Sequence, residues 1–344
     1  MPVFDHHRLA ILMNAVLTGR GVNPASAAHV VDSLILTSLR GVDSHGINLF
    51  PYYCRTVDGG RINKTPDIRI VGGGESAVVI DADDGFGHHA GRIAIAAAVE
   101  RARRFGTAAV SVRKSSHFGA AAYFTLPAAR VGMIGFAFTN TEPIVRAPAS
   151  ALGMFGTNPI ACAAPMAGEE PFCLDMATSI VPFNKIMNHR RSGQPIPPAW
   201  GCDEKGAPTT DAKALVNLNP IGDYKGFGLG MMVEILCGLL GAGPAGREVP
   251  MFADVGQPND LCHFFAAIDI AHFLDPAVFR TRLSEVAATL RTLPKAGDAP
   301  SLTPGDPEKA NFSDRCRTGI PVGQESLAEF LAIDAGFARA LRPL

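Results

Sequence analysis

Between Ala77 and Asp175 the chain repeats short apolar runs of strand length, at 77–82, 107–112, 132–138, 158–164 and 171–175. One alanine-rich helical stretch, 88–104, interrupts them. Apolar runs of this length bounded by turn residues read as strands, and their mixture with a long helix predicts a central α/β or α+β domain. The flanks read as mostly helical. His7 to Thr18 carries apolar residues at helical spacing, and Asn23–Pro24 forms the cap and first position of a helix reaching about Leu39. Further on, 226–240 reads as a helix, 262–269 as a strand, 275–292 as an amphipathic helix and 324–341 as a terminal helix. Segments 41–53 and 55–75 break the pattern, while 189–211 and 294–307 read as Pro/Gly-rich loops. The expected division is a helical module over 1–74, joined by 275–344, beside a central α/β domain over 75–274.

Composition narrows the class. With 344 residues, 47% hydrophobic and 18% charged, the chain is globular and long enough for one large domain or two ordinary ones. Its 31 basic and 32 acidic residues form no long block. A duplex-binding surface carries a clustered basic excess, so nucleic acid is not expected as a partner. Seven cysteines are dispersed without a C-x-x-C pair, and MPVFDHHRLA lacks the basic and apolar regions of a secretory signal. Both features point to free thiols in a reducing, cytoplasmic setting. The most apolar stretch, 226–243, holds Glu234 and six glycines. It falls short of the ~20 apolar residues of a membrane span, so no membrane association is expected.

The chain has one G-x-G-x-x-G match, Gly241-Ala-Gly243-Pro-Ala-Gly246. That motif cradles a dinucleotide only between a strand and a helix N-terminus. Here a helix-length run precedes it and REVPMF, with Pro250, follows. It reads as a helix-terminating loop, and any nicotinamide cofactor is expected to bind without the Rossmann fingerprint.

Other loops carry groups suited to chemistry at a carbinol carbon. In Asp43-Ser44-His45-Gly46 the histidine, with an unperturbed pKa of ~6.5, suits a hydroxyl proton near neutral pH. Ser44 can hydrogen-bond its ring, and Gly46 lets a ligand approach the backbone; a histidine capping a helix end fits the same spacing. Ser115 to Gly119 follows the strand run ending near Val112, where α/β enzymes place ligand loops, although a plain strand-to-helix turn fits equally. Gly156 to Pro159 and Asp175 to Ser179 offer Thr and Asn side chains beside strand runs, and each alone also reads as a turn. Lys225, at the mouth of the apolar helix, either snorkels or meets an anion. The histidines at 6, 7, 88, 89, 263 and 272 show no HxxxH or HExxH spacing, so no metal site is expected.

Taken in order, DSHGINLFPYY (43–53), GRIN (60–63), SSHFGAAAYF (115–124), GTNPIACAAP (156–165), LDMATS (174–179), GAPTTD (206–211) and DYKGFGLGMMVEILCGLL (223–240) resemble one family. It is the malate/L-lactate dehydrogenase type 2 family, with sulfolactate and ureidoglycolate dehydrogenases, diketogulonate reductase and piperideine-2-carboxylate reductase among its members. The resemblance covers about residues 5–310. It implies a mixed-sheet NAD(P)-binding domain of non-Rossmann type, a mostly helical second domain, a homodimer, and NAD or NADP as cofactor. The implied reaction moves a hydride to or from the alpha carbon of a small 2-oxo or 2-hydroxy acid.

By the same resemblance His45 is the general acid/base, Ser44 orients its ring and His117 is a second active-site histidine. Thr157 is implied to contact substrate, and Phe118, Gly119, Ala120, Thr141, Asp175, Met176, Ala177, Lys225, Gly226, Pro304, Gly305 and Asp306 to contact cofactor. Two positions depart from the family. Leu49 stands where an arginine commonly grips the substrate carboxylate, and Lys185 where some members have an acid that orients the histidine. Arg146, alone in an apolar stretch beside the expected cofactor loop, is the candidate for the carboxylate contact. Two other readings stay open: reduction of a cyclic imine such as pyrroline- or piperideine-2-carboxylate, and dinucleotide binding without turnover.

Overall fold

The structure is a computed structural model that describes residues 1–294 and 296–344; Lys295, in the expected 294–307 loop, lies outside the described residues. The first part of the chain forms β1 (Val3–Phe4), α1 (His6–Gly19), α2 (Pro24–Leu39), α3 (Phe50–Asp58), β2 (Arg69–Gly73), β3 (Ala77–Asp81), α4 (Gly87–Phe105), β4 (Thr107–Ser115) and α5 (Ala122–Arg130). The middle adds β5 (Met133–Thr139), β6 (Val145–Arg146), β7 (Gly153–Phe155), β8 (Ile160–Ala164), β9 (Phe172–Met176), α6 (Phe183–Ser192), β10 (Gly201–Cys202), β11 (Asn217–Leu218) and α7 (Tyr224–Glu234). The last part holds β12 (Leu261–Asp269), α8 (Pro276–Arg291), α9 (Asp306–Thr318), β13 (Ile320–Pro321), α10 (Gln324–Ile333) and α11 (Ala335–Ala340).

Seven strands make the central sheet in the order β2-β3-β4-β12-β5-β8-β9. Only β3 and β4 pair in parallel, and α4 supplies the long crossover that a parallel pair requires. All other neighbours are antiparallel. The sheet is therefore mixed and not doubly wound, as expected. β12 arrives late in the chain and inserts between β4 and β5, with Phe264 opposite Ser111 on one side and Phe138 on the other. The Gly241–Gly246 run has a π turn (Ile235–Leu239) before it and a short 3-10 turn after it. Gly243 is pressed on the Cys262 sulfur, which a Cβ would strike, so its glycine serves packing.

Two large cores flank the site. In the first, α1, α2 and α3 pack with α10 and α11 around Leu9, Met13, Leu17, Leu34, Phe50, Phe330 and Phe337. The Phe330 and Phe337 rings stack 5.8 Å apart, and burying each is worth about 1.5–3 kcal/mol. In the second, α4 and α5 cover the sheet. Ala90, Ala94, Ala98 and Ala102 recur every four residues on α4, so one face of small side chains meets the strands closely. A smaller core (Ile144, Val145, Ile186, Leu215, Leu218) joins α6 to a second sheet of order β10-β11-β6-β7. α8 lies along the β8–β9 turn, with Ser284 on Ala167 and Arg291 on Glu169.

Several boundaries differ from expectation for local reasons. The Asn23 cap forms as read, its Oδ1 accepting from the Ser26 N–H at 2.7 Å. Helix α3 starts inside the 41–53 segment, with Pro51 in its first turn, where a missing N–H costs nothing. α5 contains Pro127, and α9 is polar with no buried residue, so neither shows an apolar helical stripe. α6 runs into the expected 189–211 loop before Gly193 ends it in the left-handed region. The terminal helix splits at Asp334, whose carboxylate accepts from the Phe337 N–H and starts α11.

Candidate active site

A cavity of about 570 Å³ is walled by both the helical core and the central sheet. That lies within the range of small-molecule sites. Its walls are the end of α2, the 42–45 loop, the segment after β4, the strand ends near 139–144, 157–159 and 173–177, and the first turn of α9. Ser44, His45, His117, Gly119, Ala120, Thr141, Thr157, Asp175, Met176, Ala177, Pro304 and Gly305 all line it. Segments 260 residues apart in sequence are thus brought to one space.

The His45 loop is held from three sides. Arg315 of α9 grips Asp43 with two hydrogen bonds of 2.6 and 2.9 Å, and Asn184 of α6 donates to the Ser44 carbonyl at 2.7 Å. The Ile47 N–H donates to Ser38 Oγ at 2.9 Å, and a Cβ at Gly46 would strike that hydroxyl. Ser44 Oγ lies 3.0 Å from His45 Nδ1, so the serine sets the ring. Burial lowers the His45 pKa below its usual value.

His117 follows directly on β4, its loop fixed by Ser116 Oγ, which donates to the Gly85 carbonyl and accepts from the Gly87 N–H. Tyr53 of α3 places its hydroxyl 2.6 Å from His117 Nδ1. Burial raises the Tyr53 pKa well above its ordinary value, so it is a neutral phenol. It has no other acceptor among the described residues, so its O–H donates to Nδ1 and the His117 proton sits on Nε2. Burial, then the nearby His45, lowers the His117 pKa well below the usual range. The two imidazole rings lie 6.1 Å apart, and burial disfavours the charged form of each.

Beside them stand two threonines. The Thr157 N–H donates to Thr141 Oγ1 at 2.9 Å, their hydroxyls lie 3.4 Å apart, and a Cβ at Gly156 would strike Thr141. The Thr141 N–H donates to Asn158 Oδ1, and Asn158 is held with φ +34° by hydrogen bonds to Glu234 and to the Gly230 carbonyl. Glu234, 2% exposed on α7, also accepts from the Gly246 N–H, and burial raises its pKa. Asp175 Oδ2 accepts from the Ala122 N–H at 2.8 Å and so caps α5 from another element. Burial pushes the Asp175 pKa up to about 6 against that hydrogen bond.

Five sequence-derived assignments fall outside the cavity. Phe118, 1% exposed, lies in the sheet core and stacks on His263 at 4.7 Å. Gly226 packs on Ile221, and Lys225 is exposed at the start of α7. Asp306 pairs with Arg291 and accepts from the Thr303 N–H, which shapes the 303–306 turn. Arg146 lies outside the cavity as well, its guanidinium bonded to Asn219 Oδ1 at 2.6 Å and to the Ser150 and Gly206 carbonyls. Leu49 packs against the helical core, and Lys185 lies over the Trp200 ring at 4.7 Å. The structure adds Arg40, Glu142, Asn184 and Glu308 around the site, which stand in none of the quoted motifs, and Tyr53, which closes the 43–53 motif without a residue type that marks it for a role. Among the described residues no helix is long and apolar enough to cross a membrane, and no group of three or more metal-ligating side chains comes together.

A family model for malate/L-lactate dehydrogenase matches residues 4–331. A malate dehydrogenase of Pyrococcus abyssi is 38% identical over 325 residues, covering 91% of this chain and 89% of that protein. The crystal structure of malate dehydrogenase from Entamoeba histolytica superposes with a TM-score of 0.93 at 30% identity, covering 99% of both chains. A delta1-piperideine-2-carboxylate reductase from Pseudomonas syringae gives a TM-score of 0.88 at 26% identity, covering 97% of this chain and 100% of that one. With a family match across nearly the whole chain and the paired histidines and threonines gathered in one cavity, the chain belongs to the malate/L-lactate dehydrogenase family of oxidoreductases.

Proposed function

We propose that this protein moves a hydride between a nicotinamide dinucleotide and the alpha carbon of a small 2-hydroxy or 2-oxo acid, with His45 as the general acid/base. The observation that carries the reading is the pair of imidazoles, 6.1 Å apart, facing one cavity with Thr157. The walls suit a dinucleotide: Gly119 and Gly305 keep backbone in the left-handed region at the cavity wall, and Arg40 brings a buried cation. A nicotinamide dinucleotide bound there, NAD or NADP, supplies or accepts the hydride.

The residues of the chain manage the rest. His117, with its proton on Nε2, donates a hydrogen bond to the substrate carbonyl oxygen. On reduction His45 first takes a proton from solvent and, as the imidazolium, gives it to that oxygen as negative charge develops there. On oxidation the neutral ring accepts the hydroxyl proton and releases it to solvent. An oxyanion forming beside His45 favours its charged form and so opposes the lowering that burial causes. Ser44 holds the ring in place through Nδ1. The Thr141 and Thr157 hydroxyls are neutral donors for the substrate carboxylate in place of the arginine that Leu49 replaces. A second reading, reduction of a cyclic imine carboxylate, is supported by the likeness to a piperideine-2-carboxylate reductase. The protein is also proposed to be a homodimer, which the half-exposed apolar face of α7 supports.

The test is NADH and NADPH oxidation with a panel of 2-oxo acids and cyclic imines, for the wild type and for His45→Ala. A 2-oxo acid is expected to be turned over, with kcat at least about a hundredfold lower in the variant. Turnover of imines alone would replace the substrate class, and undiminished activity of the variant would remove His45 from its role.

A further inference from the structure

We infer that Arg40 binds the diphosphate of the dinucleotide, at the end of the cavity remote from the histidines; the inference rests on the function proposed above. Arg40 caps the C-terminus of α2, is 5% exposed, and lines the cavity. It is the only lysine or arginine among the described residues that does so. Its backbone N–H is bonded to the Leu36 and Ser38 carbonyls, but its guanidinium has no acceptor and no ion pair among the described residues.

The other enclosed arginines show how unusual this is. Arg61, 1% exposed, spends its guanidinium on the Met251, Phe252 and Gln257 carbonyls and on the Tyr52 hydroxyl. Arg315 is matched to Asp43, and Arg146 to Asn219. A guanidinium stays charged at any working pH and carries five donors, so an enclosed one without a partner is costly until an anion reaches it. A purely structural cation at a helix end would instead donate to the terminal carbonyls.

Position selects the anion. Arg40 lies near enough to Cys173 and Asp175 for its charge to favour their ionised forms, whereas burial and neighbouring histidines account for His45 and His117. Gly305, at the α9 N-cap, approaches Cys173 at the same end and offers no side chain, so the positive end of α9 lies there too. Asp175 and Glu308 also line this end; their carboxylates suit ribose hydroxyls and leave Arg40 as the group for phosphate. The carboxylate of the reacting acid must stay beside His45, which excludes it from Arg40. The nicotinamide also sits by the histidines, so the cofactor's phosphates extend toward Arg40.

The test is equilibrium binding, without substrate, of NADH and NADPH to the wild type, Arg40→Met and Arg40→Lys, read from the reduced nicotinamide fluorescence. Arg40→Met is expected to weaken both dinucleotides by roughly 10- to 100-fold, and Arg40→Lys by several-fold. Kd should rise with salt less steeply in Arg40→Met than in the wild type. Reduced nicotinamide riboside, which has no phosphate, should bind the wild type and Arg40→Met alike. Circular dichroism melts check folding, and if the methionine variant fails to fold, the lysine variant carries the comparison. Dinucleotide binding within twofold of wild type in the folded variants overturns the inference, as does a loss confined to NADPH, which would assign Arg40 to the 2′-phosphate. A wild type that binds neither dinucleotide overturns the proposed function, and this inference with it.

Discussion

The chemistry of single side chains here is set by what each one touches. In the proposed reaction His117 serves as a carbonyl donor because the Tyr53 phenol occupies its Nδ1 at 2.6 Å. Removing that hydroxyl frees the other tautomer, which presents an acceptor where a donor is needed. Tyr53→Phe is therefore expected to lower kcat about tenfold, the scale of one buried hydrogen bond, with little change in KM. Equal kcat in a folded variant would show that His117 needs no such partner. Histidines in polar loops announce themselves as residue types, and so His45 and His117 were legible in the sequence. Tyr53, in a run of aromatic and apolar residues 64 positions from its partner, was not. Arg40 and Arg146 look alike in sequence, each a lone arginine beside apolar residues. Only their surroundings separate a satisfied guanidinium from an unmatched one.

Among the elements, α7 is the one whose pattern is resolved least by this chain alone. It is apolar nearly all round, which in a helix signals burial on every side. Its inner side, with Gly226, Gly230, Val233 and Glu234, is buried and holds Asn158 beneath the threonine pair. Its outer side is not: Met231 is 50% exposed and Leu239, in the π turn that follows, 62%. Exposed apolar patches of this kind mark association surfaces. Sedimentation velocity at micromolar concentration is expected to find a dimer, and the pair Met231→Asp with Ile235→Asp to give a monomer. A monomeric wild type would remove α7 as an interface. Six of the seven central strands were legible because apolar runs mark them locally; β2, exposed along its length and glycine-rich inside the expected 55–75 loop, was not, nor were α5 and α9, where Pro127 in one and a polar surface in the other hide the helical period.

The whole molecule encloses an unusual set of neutral histidines. Burial lowers His88 and His263 to about 3, His89 to about 4, and also lowers His45 and His117. Both His88 nitrogens lack a hydrogen-bond partner among the described residues. Below about pH 6.5 the unfolded chain takes up protons at these positions that the folded chain refuses, so stability falls with pH, by about 1.4 kcal/mol per pH unit for each histidine. Asp175, raised to about 6, has the opposite sign: its folded form holds a proton the unfolded chain has released, so it gains stability as pH falls through 6. Several histidines outweigh it. Denaturant melts should show the protein clearly less stable at pH 5.5 than at pH 7.5, with His88→Gln reducing the slope by about one histidine. Equal stability at the two pH values would contradict the burial of these rings as neutral species.

What the sequence determined by itself was local: the strand and helix periods, the loops that carry histidine and threonine, and the failure of Gly241–Gly246 as a dinucleotide loop. Those features depend on residues within a few positions of one another. The tertiary structure alone decided that β12 divides β4 from β5, that Asp175 caps α5, and that Glu234 steadies the threonines. It alone decided which arginine faces the cavity unmatched. Burial, strand order and hydrogen-bond partners join residues tens to hundreds of positions apart. They exist only once the chain has folded.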